Sequence, residues 1–342
     1  MSRIHTMLLT ASSPDDIASA GRLLRAGRLV AVPTETVYGL AANALDPAAV
    51  ARVFEAKGRP ADNPLIVHIA EPEDLTALCR EILPAALTLA QRFWPGPLTL
   101  VLPRRAVVPD VVTAGLPTVA VRLPALPATR AVIRAAGTPL AAPSANLAGR
   151  PSPTTADHVR ADLGGRIDAI LDGGPCQWGI ESTVVSVAHH PPRLLRPGGV
   201  TRESLCDVIP NLMIDPAVQG ALADGETPSA PGMKYRHYAP RAPLTILCGP
   251  VSRAADYVRR QSGPTAVLCF DEEWDDFAGL SRVSYGSRAD PLSLARSLFD
   301  ALRRLDALGA RQLFARCPEG GGVEAAVQNR LRKAAGFQAL DV

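Results

Sequence analysis

The sequence lacks most of the short motifs from which an enzyme class can be inferred directly. It contains no Walker A sequence, no H-E-x-x-H zincin motif and no G-x-S-x-G nucleophile elbow. Its six cysteines are scattered, with no C-x-x-C pair and no histidine at zinc-ligand spacing, so neither a zinc site nor a disulfide framework is predicted. Reduced thiols favour a cytoplasmic location. A net charge of +3 is too small to indicate nucleic-acid binding by itself.

Long hydrophobic runs are also missing. No apolar stretch reaches the roughly 20 residues that a membrane-spanning helix needs, and the N-terminus lacks the layout of a signal peptide. We therefore expect no membrane segment. The content of 47% apolar and 20% charged residues is ordinary for a globular protein. The 32 prolines exceed the usual share and predict many loops of fixed shape.

At 342 residues the chain is longer than a typical single domain, and its patterning divides it into three parts. We predict a first domain over residues 1–210, a linker over 211–242, where the periodicity loosens, and a smaller second domain over 243–342. The second domain alternates predicted strands with helices near 252–261, 291–308 and 322–335, which is typical of a doubly wound α/β fold.

The stretch from Phe54 to Ile69 places two cations between a helix and a buried strand. Asp46 is the predicted N-cap of this helix, and Lys57 continues its apolar stripe. Arg59 follows in a proline-rich turn that leads into a strand ending in VHI. Two cations at such a junction suggest an anion site. The alternative is a lysine that interacts favourably with the helix dipole and an arginine in an exposed loop.

Polar clusters follow several predicted strands, at the edge where ligands usually collect in α/β folds. The cluster 34–39 follows the strand 29–33, and the loop 144–154 follows the strand 139–143. Arg196 stands at the end of another strand. The hydroxyls, amide and glycines of these loops could bind phosphates and a sugar. Alternatively, they only shape turns and cap the next helix.

Arg122 is the one charged residue of the alternating strand 118–124. Its planar guanidinium suits a carboxylate, either of a ligand or of another side chain, and the two alternatives carry equal weight. In the linker, Tyr235 and Tyr238 stand among basic residues and a histidine. Such a segment could close over a nucleotide as a lid, or it could be a strap whose tyrosines pack on either domain.

The segments collected so far resemble the YrdC-like family, in its longer two-domain form of L-threonylcarbamoyladenylate synthases. The resemblance covers most of residues 15–240 and is carried by the sequences PTETVYGLA, FEAKGRPADNPLIVHI, WPGPLTLVL, VAVRLP, PSANLAGRPSPT, GIESTVV, LLRPG and PGMKYRHYAP. It implies a catalytic N-terminal domain with a twisted mixed sheet, helices and an open cleft, followed by a smaller Rossmann-like domain. The fold class is therefore expected to be α/β.

The resemblance also implies the reaction. Family members make threonylcarbamoyl-AMP and pyrophosphate from L-threonine, bicarbonate and ATP, with Mg²⁺ accompanying ATP. The product supplies the group that tRNA-modifying proteins place on an adenosine beside the anticodon. No metal ligand among the protein side chains is expected, and direct RNA binding is left open.

The site residues implied by the resemblance fall into three groups. The K-x-R and S-x-N signature corresponds to Lys57, Arg59, Ser144 and Asn146, which are predicted to be catalytic. The predicted ATP contacts are Arg59, Asn63, Thr118, Ser144, Ser152, Arg196 and Tyr235. The predicted threonine contacts are Thr36, His68, Arg122, Ala142 and Ser182.

Two other functions are compatible with a cationic cleft. An RNA-binding module would use the cleft for an RNA backbone and would need no ATP. A carbamoyltransferase domain that uses carbamoyl phosphate is the second alternative. Proteins with such a domain carry additional zinc-finger segments, whereas this chain has no cysteines at zinc-ligand spacing.

Overall fold

A computed structural model describes residues 4–218, 220 and 237–342. Two compact units are present in this part of the chain. The first contains residues 4–148 and 152–177 and continues from 181, and the second contains 237–342 together with Gly149–Pro151 and Trp178–Ile180. The two short segments differ from the predicted boundaries, which assigned everything before residue 210 to the first domain. Tyr235 of the predicted lid lies outside the described residues.

The first unit is built on an eleven-stranded sheet with the order β1-β8-β2-β3-β7-β4-β6-β5-β9-β10-β11. The strands are β1 (Met7–Thr10), β2 (Val30–Val32), β3 (Gly39–Asn43), β4 (Ile66–His68), β5 (Leu98–Pro103), β6 (Thr118–Arg122), β7 (Leu140–Ala141), β8 (Ala169–Asp172), β9 (Thr183–Ser186), β10 (Arg193–Arg196) and β11 (Met213–Ile214). Parallel and antiparallel neighbours alternate irregularly along it. The predicted mixed sheet is confirmed.

Helices and short helical turns connect these strands. The helices are α1 (Pro14–Arg25), α2 (Pro47–Lys57), α3 (Leu75–Leu78), α4 (Pro84–Phe93), α5 (Asp110–Thr113), α6 (Pro127–Ala136), α7 (Ala156–Leu163) and α8 (Arg202–Cys206). Two 3-10 turns cover Pro72–Asp74 and Pro216–Val218. None of the described helices, here or in the second unit, is both long and apolar enough to cross a membrane.

Helix α2 follows the local signals of its sequence. The Asp46 carboxylate accepts hydrogen bonds from the main-chain N–H groups of Ala48 and Ala49, as an N-cap does. Gly58 ends the helix with φ +60°, a left-handed conformation that glycine adopts without steric cost. Lys57, in the last turn, is buried with the apolar stripe. The prediction that Lys57 does not face water is confirmed.

The apolar periodicity of the sequence from Leu75 to Phe93 predicts one continuous helix, and this prediction is wrong. Two helices occupy this stretch, because the chain at Cys79 is extended and forms a β-bridge with Arg104. Helix α4 then begins at Pro84, whose ring nitrogen cannot donate the hydrogen bond that a continuous helix would require. The apolar periodicity on either side of the break is similar, which is why the pattern suggested one helix.

Strand register builds one polar row across the sheet. His68 pairs with Arg122, Arg122 pairs with Thr99, Thr99 pairs with Val184, and Val184 pairs with Arg196. Paired residues in neighbouring strands present their side chains on the same face. The opposite face carries the main apolar core, which includes Val67, Leu98, Leu100, Val121 and Val185. The polar row therefore lies on the face that the core leaves available.

The second unit is a five-stranded, fully parallel sheet with the order β14-β13-β15-β12-β16. Its strands are β12 (Leu244–Cys248), β13 (Thr265–Cys269), β14 (Ser281–Ser284), β15 (Gln312–Ala315) and β16 (Ala339–Asp341), and its helices are α9 (Val251–Arg259), α10 (Pro291–Ala307) and α11 (Gly322–Ala334), with a 3-10 turn at Asp271–Glu273. The predicted Rossmann-like second domain is confirmed. The last strand, β16, was not predicted.

Two sequence features of the second part find a structural explanation here. The glycines 320–322 before helix α11 suggest an anion site, but the Glu324 carboxylate lies so close to Gly320 that an anion there would meet a negative charge. Tyr238 is buried, and its ring centroid lies 5.1 Å from that of Phe299 in α10. This tyrosine therefore packs as a strap residue does.

Helices α1 and α6 cross at a glycine, which generates a stability prediction. A Cβ on Gly21 would lie 2.5 Å from the Cβ of Ala135 and 2.7 Å from its carbonyl carbon. We expect Gly21→Ala to lower the free energy of unfolding by about 1–3 kcal/mol, because the helices must separate to admit the methyl group. Differential scanning calorimetry measures the loss. Ser19→Ala, on the same helix, is the control, and equal stability of the two variants would contradict this account.

Candidate active site

A buried ion pair lies on the face of the sheet that carries the polar row. Arg122 Nη2 donates to Glu35 Oε1 at 2.6 Å, and both side chains are only 4% exposed. Glu35 Oε2 accepts from the main-chain N–H of Ala125 at 3.0 Å. The carboxylate thus connects the loop after β2 to the chain that precedes α6. The alternation of strand 118–124 predicts that Arg122 shares a face with Thr118, which β6 confirms. The alternative of a salt bridge from Arg122 to another side chain is also confirmed.

The ion pair with Glu35 occupies only one of the N–H donors of Arg122. Its Nη1 donates to Thr36 Oγ1 at 2.8 Å, and its Nε donates to the carbonyl of Gly96 at 3.3 Å. A guanidinium has five N–H groups, so one N–H on each Nη remains without a partner among the described residues. Two such donors can bind a carboxylate in a fork. The ligand-binding role of Arg122 stays a prediction that this geometry allows.

Ser182 connects the arginine at the other end of the polar row to the sheet. Arg196 donates from Nε to the Ser182 carbonyl at 3.0 Å and from Nη2 to the Ser182 hydroxyl at 3.2 Å. The same hydroxyl lies 2.8 Å from Thr99 Oγ1. Arg196 is 6% exposed and Ser182 is 1% exposed, so both are held in a protein interior rather than at a loose surface.

His68 is an uncharged member of the polar row. Burial and the neighbouring positive charge of Arg122 lower the pKa of His68 to about 3. The imidazole is therefore neutral near pH 7. Its Nδ1 is buried and has no hydrogen-bond partner among the described residues. A buried polar atom in this condition is the kind of group that a ligand can satisfy.

Lys57 lies at the centre of the loop that carries the S-x-N signature. Its Nζ donates to the carbonyls of Ser144 at 2.5 Å and Asn146 at 2.6 Å, and the side chain is buried. Burial lowers its pKa well below the ordinary range, and the positive charge of Arg59 lowers it further, whereas the charge of Asp162 raises it. Two of its three N–H donors therefore hold the main chain of the loop. This positioning role was not expected from the sequence.

The turn after α2 contains a second buried polar group that a ligand could satisfy, the side chain of Asn63. Arg59 Nη2 donates to the carbonyls of Asn63 at 2.9 Å and Pro64 at 3.3 Å, which folds the guanidinium back over its own turn. The Asn63 side chain is fully buried, and neither its amide nitrogen nor its oxygen has a hydrogen-bond partner among the described residues. Such a group is costly unless something binds it.

The remaining predicted contacts occupy other places in the first unit. Ser152 Oγ donates to Glu181 Oε1 at 2.5 Å, and both residues are buried. Ala142 follows β7, and its main-chain N–H donates to the carbonyl of Ile66. Thr118 begins β6 and is four residues from Arg122, or about 13 Å along the strand on the same face. This separation suits an extended ligand better than a compact one.

The structure brings together most, but not all, of the predicted site residues. Thr36, His68, Arg122, Ser182 and Arg196 share the polar row or bond to it, whereas Lys57, Ser144 and Asn146 form a separate bonded group. The sequence interpretation missed Glu35, Thr99 and Glu181. Two of them, Glu35 and Glu181, stand beside predicted contacts in the polar clusters, which was a usable signal. Thr99 gave no signal, because only strand register places it opposite Arg122.

This arrangement of a buried arginine, paired hydroxyls and a signature loop can be compared with known proteins. A sequence model of the family described as Telomere recombination, Sua5_yciO_yrdC, matches residues 22–198. A second model, described as Threonylcarbamoyl-AMP synthase, C-terminal domain, matches residues 200–336. The chain belongs to the Sua5/YciO/YrdC family. The resemblance inferred from the sequence is confirmed.

Relatives within the Sua5/YciO/YrdC family match nearly the whole chain. The threonylcarbamoyl-AMP synthase of Pyrococcus abyssi is 50% identical over 95% of this chain and 96% of its own length. That of Bacillus subtilis is 48% identical over 95% of this chain and 94% of its own length. The crystal structure of P. abyssi Sua5 complexed with L-threonine superposes with a TM-score of 0.91 at 45% identity, covering 98% of this chain and 99% of that one.

The lowered pKa of His68 predicts acid sensitivity. As pH falls below the ordinary value of 6.5, the unfolded chain binds a proton at His68 that the folded chain refuses until about pH 3. Stability is therefore lost between these values as pH falls. We expect wild-type protein to lose about 2 kcal/mol more than His68→Gln between pH 7 and pH 5. Denaturant titrations at both pH values test this, and an equal loss in the two proteins would contradict it.

The ion pair between Glu35 and Arg122 predicts a large stability effect. Glu35→Gln leaves a buried guanidinium without its anionic partner, which we expect to cost about 3 kcal/mol of unfolding free energy. Asp110→Asn is the matched control, because it breaks the ion pair with Arg104, in which the Asp110 side chain is 77% exposed. That change should cost less than about 1 kcal/mol. Calorimetry of the full chain compares the two, and a similar small loss in both would show that the buried pair contributes little.

Proposed function

We propose that the chain is a threonylcarbamoyl-AMP synthase, which makes threonylcarbamoyl-AMP and pyrophosphate from L-threonine, bicarbonate and ATP. The observation that carries the proposal is the buried Arg122 with two N–H groups available, set in a row with the Ser182 hydroxyl and Arg196. Such a row can bind an amino-acid carboxylate beside a phosphate. The names of the full-length relatives and the threonine complex of P. abyssi Sua5 support the same substrates.

The amino-acid end of the site is placed at Arg122. Its two remaining N–H groups bind the carboxylate of threonine in a fork. His68 lies beside it in register and is neutral near pH 7, so its ring can accept a hydrogen bond but adds no charge that would repel the ammonium group. Thr36 completes this end through its bond to Arg122.

ATP is proposed to bind along the same face of the sheet and along the loops that follow its strands. Arg59 and Arg196 supply positive charge, and Asn63, Thr118, Ser144 and Ser152 supply hydrogen-bonding groups. Within the described residues, no three histidine, cysteine, aspartate or glutamate side chains lie close enough together to hold a metal. Mg²⁺ would accompany ATP as part of the substrate and would neutralise phosphate charge. Lys57 holds the Ser144–Asn146 loop in place for these contacts.

The proposed chemistry has two stages. The threonine amine adds to bicarbonate, which gives a carbamate and releases water. A carbamate oxygen then attacks the α-phosphorus of ATP, the new P–O bond forms as the bond to the β-phosphate oxygen breaks, and pyrophosphate leaves. This transfer needs alignment and charge neutralisation more than a protein nucleophile. The product would supply the threonylcarbamoyl group for the tRNA adenosine beside the anticodon, through separate tRNA-modifying proteins.

The two alternative functions receive less support from the site. An RNA-binding cleft has no need of a buried arginine with a carboxylate-binding fork, since phosphate backbones are bound by exposed cations. A carbamoyltransferase that uses carbamoyl phosphate would not require an amino-acid subsite. The Arg122–Ser182 region favours the synthase over both.

Substrate dependence is the decisive test. Purified protein should release pyrophosphate only when ATP, bicarbonate and L-threonine are all present, with threonylcarbamoyl-AMP detected by mass spectrometry. We expect Arg59→Ala to lower kcat/KM by about 100-fold, in the range found when a group that stabilises transition-state charge is removed. Lys57→Ala should lower it by a similar factor, because the Ser144–Asn146 loop loses the side chain that holds it in place. Arg28→Ala, a change at a half-exposed arginine near Asp168, is the control and should retain activity.

Several outcomes would contradict the proposal. Equal turnover with serine, or without any amino acid, would rule out the substrate assignment. RNA binding that needs no ATP and falls steeply with salt, together with no pyrophosphate release, would favour the RNA-binding alternative. Release of pyrophosphate only with carbamoyl phosphate would favour the carbamoyltransferase.

A further inference from the structure

The direction of the hydrogen bonds around Ser182 can be worked out from the donors that surround it. Arg196 Nη2 lies 3.2 Å from Ser182 Oγ, and a guanidinium can only donate. Thr99 Oγ1 lies 2.8 Å from the same oxygen, and distance alone leaves open which of the two hydroxyls donates. The environment of Thr99 decides this second bond.

Among the described residues, the Thr99 hydroxyl has one possible hydrogen-bond acceptor for its proton. Its side chain is fully buried, and among the described residues Ser182 Oγ is its single hydrogen-bond partner. A buried hydroxyl proton without an acceptor is costly, so Thr99 donates to Ser182. Ser182 Oγ then accepts from both Thr99 and Arg196. A hydroxyl has two acceptor positions and one proton, so Ser182 can offer a ligand only its O–H donor.

Strand pairing brings the Arg122 guanidinium and the Ser182 hydroxyl close together. Thr99 in β5 lies directly opposite Arg122 in β6, so Ser182, which bonds to Thr99, adjoins the guanidinium across the strand pair. The two remaining N–H groups of Arg122 and the O–H of Ser182 are all donors. A group of converging donors suits an anionic oxygen, whereas an N–H group of a ligand would meet only other protons there.

We propose that Thr99 is a positioning residue that fixes Ser182 as a hydrogen-bond donor and so polarises the amino-acid subsite. The carboxylate of the substrate binds against Arg122 and Ser182. The assignment of threonine as the ligand rests on the proposed function. The polarity itself rests on the hydrogen bonds of the protein.

Thr99→Val tests the proposal with a side chain of the same shape that has lost the hydroxyl. Isothermal titration compares L-threonine with L-threonine amide, which presents N–H groups in place of a carboxylate oxygen. We expect the variant to bind threonine about tenfold more weakly, the loss of roughly one hydrogen bond. The amide should lose little, because Ser182 regains an acceptor position. The preference for the carboxylate over the amide therefore narrows by about tenfold, and Thr99→Ser restores it.

Thr183→Val is the matched control. Thr183 is equally buried in the neighbouring strand β9, but within the described part of the chain its hydroxyl bonds only to the main chain of Val200, so the variant should keep the wild-type preference. An unchanged preference in Thr99→Val, or equal losses for both ligands, would overturn the positioning role. Wild-type protein that binds no threonine would instead contradict the synthase proposal. Unchanged KM for ATP and an unchanged melting temperature in Thr99→Val separate the polarity effect from a general disturbance of the fold.

Discussion

The ion pair between Glu35 and Arg122 is the interaction on which the geometry of the candidate site depends. Both charges are buried, so their attraction is little screened and either one alone would be costly. Glu35 is also held by the N–H of Ala125, and Arg122 also reaches Thr36 and the carbonyl of Gly96. Three separate chain segments, 35–36, 96 and 122–125, are thereby fixed around one guanidinium, and the donors that remain on it are held by a rigid support.

The balance of charge around this pair suits the proposed binding of an amino acid beside a nucleotide. Glu35 compensates one arginine, and burial keeps His68 neutral, so the amino-acid end is not strongly positive. Arg59 and Arg196 contribute charge elsewhere in the same unit. Lys57 is mainly occupied with two carbonyl groups of the signature loop. Lys57 therefore holds main chain, whereas Arg59 of the same signature is proposed to bind phosphate.

Local rules predicted the elements whose ends are set by neighbouring residues. Asp46 and Gly58 bound helix α2 because a carboxylate cap and a left-handed glycine act over three or four residues. The alternation of residues 118–122 placed Arg122 on the correct face for the same reason. The prediction of one helix over 75–93 was wrong because a β-bridge from Cys79 to Arg104, 25 positions away, interrupts a periodic sequence. Contacts at that separation leave no trace in a local pattern.

The amino-acid sequence by itself determined the α/β class, the two-domain order and the family, because periodicity, caps and ordered motifs are written in consecutive residues. The tertiary structure alone decided the partners of the site residues: Glu35 for Arg122, Thr99 for Ser182, and two carbonyls for Lys57. Each of these bonds joins segments 80 or more positions apart. Strand register and burial set their direction and strength, and both exist only once the sheet has formed.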